Sequence, residues 1–202
     1  MIKRTFVWTP GSVAQVRDEF AGRPAPGVVI VPLEVGTALV STEPKSLTDS
    51  IKVSEWARTK DIQPVLFMWN ADALAIYPGL LGWDWGRRED VLELTMRPQR
   101  FGMLGAALID LFDSIRVQKS SHAKYIRAAR RIANALYADQ DAVLAVVREW
   151  QVGGYDVLIE LFERTRKTDL AKIAGLIQSG EFDRWGGVSD MPVVPLADLP
   201  DD

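Results

Sequence analysis

Near residue 97 the sequence changes period, and that change limits the folds open to the chain. On its N-terminal side short β-rich runs are broken by Pro and Gly; on its C-terminal side apolar residues recur every three or four positions. Residues 5–8 (TFVW) read as a strand closed by TPG. Residues 12–22 read as a short helix, with Ser12 as its cap, Val13, Val16 and Phe20 at helical spacing, and Gly22 as its stop. Strands are expected at 28–35 and 37–43, separated by Gly36, and a fully buried one at 64–69, while residues 46–60 read as a helix. Residues 90–96 (DVLELTM) are a further candidate strand. Beyond them the spacing predicts five helices, roughly 99–117, 121–138, 140–151, 155–167 and 169–179. Ser121, Asp139 and Thr168 are their expected caps, Gly153–Gly154 a tight turn and Gly180 a stop.

The expected fold is therefore α+β. Residues 1–95 form a domain with a small mixed sheet and helices, residues 96–187 an all-α bundle of about five helices, and residues 188–202 an extended, acidic, Pro-rich tail. Val193, Val194, Leu196 and Leu199 suit that tail to docking in a groove.

Composition excludes more chemistry than it suggests. The chain has 202 residues, 48% hydrophobic and 25% charged, the balance of a globular protein with an ordinary core. It has no cysteine, which removes disulfides, thiol nucleophiles and thiolate metal sites together. The first ten residues carry two basic residues but no apolar run after them, and no stretch approaches the roughly 18 apolar residues of a membrane span. A cytoplasmic protein with no membrane partner is expected. GxSxG, GxxxxGK[ST], GxGxxG and EF-hand patterns are all missing from the sequence. His122 is the single histidine, so a two-histidine zinc site is ruled out, and its place near the apolar side of a helix suits a packing or capping role better than general-base catalysis. No cofactor is expected.

The clearest candidate site lies in an acidic chain's one strongly basic segment. Arg116, Lys119, Lys124, Arg127, Arg130 and Arg131 fall between Asp113 and Asp139 with no acid among them. They leave 18 basic against 27 acidic residues elsewhere, a balance of −9 under a total of −3. On a helical wheel Tyr125, Ile126, Ala129, Ile132, Ala133 and Leu136 share one face, and Lys124, Arg127 and Arg131 line the opposite one with Arg130 at its edge. Such a ridge suits an acidic protein partner, the phosphates of a nucleic acid, or local ion pairs with Glu160, Glu163 and Asp169. No aromatic is interleaved on the cationic face, so a stacking platform for single strands is lacking.

Two smaller features complete the reading. Trp83 and Trp85, in GWDWG, share a side if their segment is extended, and suit either the seam between the two halves or a docking hot spot for a partner. Glu34, Glu43 and Lys45 place an acid on one expected strand and E-x-K after the next. Over these residues the chain resembles the PD-(D/E)XK nucleases, a resemblance that implies carboxylates holding Mg²⁺ and a lysine activating water, although Pro44 takes the middle position of the motif. The leading expectation is a non-catalytic interaction protein, a subunit or adaptor of a larger macromolecular assembly. A nucleic-acid-binding protein using the basic helix and a metal-dependent nuclease are the alternatives.

Overall fold

The N-terminal apolar runs are continuous rather than alternating, the pattern of strands covered on both faces. That is how they sit in the computed structural model, which describes residues 3–20, 27–43, 62–78, 83–85, 90, 94, 122–149, 154–182, 184–188 and 190–196. Seven strands form one sheet: β1 (Arg4–Thr9), β2 (Val28–Pro32), β3 (Thr37–Ser41), β4 (Val65–Trp69), β5 (Leu74–Pro78), β6 (Trp83–Trp85) and the two-residue β7 (Val194–Pro195). Their order is β6-β5-β4-β1-β3-β2-β7, and every pairing is antiparallel. The α-helices whose bounds are described are α1 (Val13–Phe20), α2 (His122–Leu136), α3 (Gln140–Glu149), α4 (Tyr155–Arg164) and α5 (Thr168–Ser179), and a 3-10 turn follows at Trp185–Gly187.

Strand alternation divides the sheet's side chains between two cores. On one face Phe6, Trp8, Val31, Val40, Phe67, Trp69 and Ile76 join Ile132, Val146, Leu158, Phe162 and Ile173 of the four C-terminal helices in a single cluster. On the other face Val7, Ile30, Leu39, Leu66 and Met68 meet Val16 and Phe20 of α1, together with Ile62, Leu94 and Leu196. The α+β class is as expected, but its layout differs. The helices do not close on a core of their own, because their apolar stripes match the sheet's second buried face. Phe6 stacks on Phe67 at 4.8 Å between ring centroids, and Phe67 meets Phe162 of α4 edge-on at 5.2 Å. At the far end of α5, Gln178 accepts from Trp69 Nε1 at 3.1 Å through its side chain.

Several local expectations change for identifiable reasons. The strand β5 was not expected; it follows a turn in which Asn70 Oδ1 accepts from the amides of Asp72 (2.9 Å) and Ala73 (2.7 Å), a side chain standing in for the usual glycine. Of the candidate strand at 90–96 only Asp90 and Leu94 are among the described residues, and both are helical rather than extended; Leu94 is buried in the core on the α1 side. Ser12 and Gln15 form a reciprocal cap at the start of α1, and Asp139 Oδ1 accepts from Ala142 N at 2.9 Å at the start of α3. Thr168 is already helical and Lys167 holds the cap position. Gly180 ends α5 in the left-handed conformation, as expected. The expected helices at 46–60 and 99–117 lie outside the described residues.

The β2–β3 hairpin turns through Glu34 and Val35, and Gly36 closes it at φ +80°. A Cβ at Gly36 would stand 2.1 Å from the Thr9 carbonyl oxygen. Both the dihedral and the approach exclude a side chain, so Gly36→Ala is expected to cost about 2 kcal/mol or more in chemical denaturation.

Just past α5, Glu181 accepts from Arg184 Nη1 at 2.5 Å and from Ser179 Oγ at 2.9 Å. These bonds, Arg184 first, hold its carboxyl below the ordinary value of 4.5. A depressed carboxyl stabilises the fold above the unfolded-state value and loses that effect as pH falls through the folded one. The difference in Tm between the wild type and Glu181→Gln should therefore be present at neutral pH and close in acid below 4.5.

Candidate functional site

Helix α2 forms where the sequence put its clearest amphipathic pattern. Ala128, Ala129, Ile132, Ala133 and Leu136 are buried, and the small residues among them let α2 lie close against α3, whose Val143, Val146 and Val147 are buried in the same core. Tyr125 is half-buried on this side, so it is not part of the cationic ridge. Arg127, Arg130, Arg131 and Asn134 are exposed on the opposite side. Arg130 and Arg131 make no ion pair among the described residues.

Two of the acids that might have neutralised this ridge are engaged elsewhere. Glu160 accepts from Arg164, which also reaches Glu149 at 2.8 Å, tying α4 to α3. Asp169 pairs with Lys172 at 3.5 Å within α5, and its other oxygen accepts from the Glu34 amide at 3.4 Å. Of the remaining basic candidates, Arg116 and Lys119 lie outside the described residues. Lys124 and His122 belong to the first turn of α2, and their side chains are likewise outside the description.

The structure does not bring the carboxylates of the nuclease-like triad together. Glu34 lies in the β2–β3 turn and Glu43 beyond the opposite end of β3. A five-residue strand separates them, roughly 16 Å at the usual rise, too far for two carboxylates to share one ion. Lys45 is outside the described residues. Among the described residues no group of three His, Cys, Asp or Glu is placed to hold a metal.

Trp83 and Trp85 form the ends of strand β6, at one edge of the sheet, opposite Ile76 and Leu74 of β5. The segment is extended, the condition under which the two positions share a side.

A second surface had no local signal in the sequence. Trp8, buried at the end of β1, donates from Nε1 to the Val35 carbonyl at 3.1 Å. Tyr137 meets its ring edge-on at 6.4 Å, and Lys167 Nζ stands 5.9 Å from the ring centroid. Burial pushes the Lys167 ammonium below the ordinary lysine pKa. Val35 is 57% and Tyr137 61% exposed, two of the three exposed large hydrophobics among the described residues. Tyr137, Arg166 and Gln63 hold left-handed backbone without being glycine, the first two at the ends of α2 and α4. Tyr137 hydroxyl and Gln63 Oε1 lie 3.4 Å apart. Residues 8, 35, 63, 137 and 167 are distant in sequence, so only the packing of helices on the sheet assembles them.

In comparisons with protein families, curated proteins and solved structures, nothing matches the chain. No helix among the described residues is long and apolar enough to cross a membrane.

Proposed function

We propose that this is a non-catalytic interaction protein, a subunit or adaptor of a larger macromolecular assembly, which docks an acidic protein partner on the outward face of α2. The observation that carries the reading is the pair Arg130 and Arg131, exposed opposite the buried seam and without an ion pair among the described residues. Tyr137, just past the end of the same helix, adds a large exposed aromatic. Arg and Tyr are the residue types that carry interface energy, the first by bidentate bonds to carboxylates and the second by apolar area at low entropic cost.

An acidic protein is favoured over single-stranded nucleic acid because the exposed side of α2 carries arginines and an asparagine but no aromatic on which bases could stack. Titration of fluorescent polyglutamate, duplex DNA and single-stranded RNA at physiological salt tests the reading. Saturable binding of the polypeptide with much weaker binding of both nucleic acids is expected; tighter binding of DNA or RNA would replace the reading with the nucleic-acid one.

A further inference from the structure

The segment after α5 rounds the outer edge of the sheet. Trp185 and Val188 are buried in the helix-side core, and Leu196 is buried in the core on the α1 side. Between them Asp190, Met191 and Pro192 are exposed. Only the two residues of β7 join the ladder, with Val194 opposite Ile30 and Pro195 opposite Val29, followed by Leu196 N donating to the Val28 carbonyl at 2.9 Å.

The ladder stops there for a chemical reason. In this register the outward-facing positions of β2 are Val28, Ile30 and Pro32, and continuing it would set Pro32 opposite Pro192, neither of which has an amide proton. Pro195 falls at a position that makes no ladder bond, so its missing N–H is harmless. The clasp therefore consists of one buried leucine, two half-buried valines, Val193 and Val194, and a two-residue ladder, set against the entropy of ordering an exposed connection that contains proline. When it opens, β2 presents free N–H and C=O groups and an unfilled leucine slot, the kind of edge that captures another strand.

We propose that this clasp is exchangeable, so that residues 194–196 of one molecule pair with β2 of a second copy in a reciprocal, strand-swapped dimer. The occupant follows from the fit already present within one chain. The same segment of another copy offers the same amides, the same proline at the silent position and the same leucine, and reciprocity closes the assembly at two. The swap exchanges like contacts for like, so protein concentration sets the balance between closed monomer and dimer. It goes beyond the docking surface on α2 and does not depend on it.

The chain has no cysteine of its own, which permits a direct test. Val29 and Pro195 are directly opposed at a non-hydrogen-bonded pair, the close spacing of an antiparallel ladder, so Val29→Cys with Pro195→Cys can form a disulfide across it. The full-length double variant is oxidised over a hundredfold range of protein concentration and run on a non-reducing gel. A covalent dimer whose fraction rises severalfold across that range is expected. A disulfide that stays intramolecular at every concentration overturns the proposal, as does an equal dimer yield from either single-cysteine variant. Sedimentation velocity on the wild-type chain, after incubation just below its Tm, is the measurement free of any substitution. A dimer that grows with concentration and is lost in a chain shortened to residue 190 supports the exchange, and a monomer at every concentration overturns it.

Discussion

Phe162→Ala is expected to remove about 3–5 kcal/mol of stability, the usual loss for an aromatic ring deleted from a packed core. Phe162 is fully buried and is the helix layer's contact with the aromatic stack of the sheet, 5.2 Å from Phe67 and 6.2 Å from Phe6 between ring centroids. Among the described residues Phe162 is the ring of α4 in contact with that stack, and the β1–β4 pair beneath it cannot collapse far into the void. A chain of this length loses about 2–4 °C of Tm per kcal/mol, so a drop on the order of 10 °C follows. Urea denaturation followed by circular dichroism and by tryptophan fluorescence measures it. Phe162→Leu, which refills much of the volume, should recover a large part of the loss. A cost for the alanine variant below about 1 kcal/mol would mean that α4 does not dock on this face.

The second large effect is on binding. Reversing both Arg130 and Arg131 to Glu should weaken capture of an acidic partner by roughly 100-fold, about 2.7 kcal/mol, because two attractive contacts become repulsive. Stability should move by no more than about 0.5 kcal/mol, since both side chains are exposed opposite the seam formed by Ala129, Ile132, Ala133 and Leu136. Lysine at both positions keeps the charge but loses the planar fork, and should fall between the two. Isothermal titration with an acidic polypeptide at two salt concentrations separates the cases: wild-type affinity should decline with salt and the reversed variant should show little left to screen. Unchanged affinity in the reversed protein would remove α2 as the docking surface. Unfolding of the variant would assign both arginines a structural role.

What could be read from the sequence was what depends on neighbours along the chain. The two faces of α2 follow from 3.6-residue spacing alone, which also sets Arg127, Arg130 and Arg131 outward. Gly36, Asp139, Gly180 and the Ser12 cap were legible for the same reason, since each satisfies or terminates a backbone within a few residues. The continuous run at 64–69 signalled a strand covered on both sides without saying by what, whereas the burial of both faces of the run at 28–32 was not legible.

Tertiary structure alone decided the rest. A helix with one apolar stripe buries it equally well against other helices or against a sheet, so the sequence suggested a separate bundle where Phe162, Leu158 and Ile173 in fact meet the strands. Glu34 and Glu43 were legible as lying on either side of one strand, but only the antiparallel register fixes them at its opposite ends, Glu34 in the turn and Glu43 past Ser41. The Trp8–Tyr137–Lys167 cluster joins three segments whose encounter is fixed by the packing of the helices on the sheet. The clasp of residues 194–196 was written as a proline-rich tail, and it became a strand because β2 had two outward amides left to satisfy. Local spacing determines which way a side chain points from its own element, whereas what it meets there is set by contacts between residues far apart in the chain, and the sequence carries no periodicity for those.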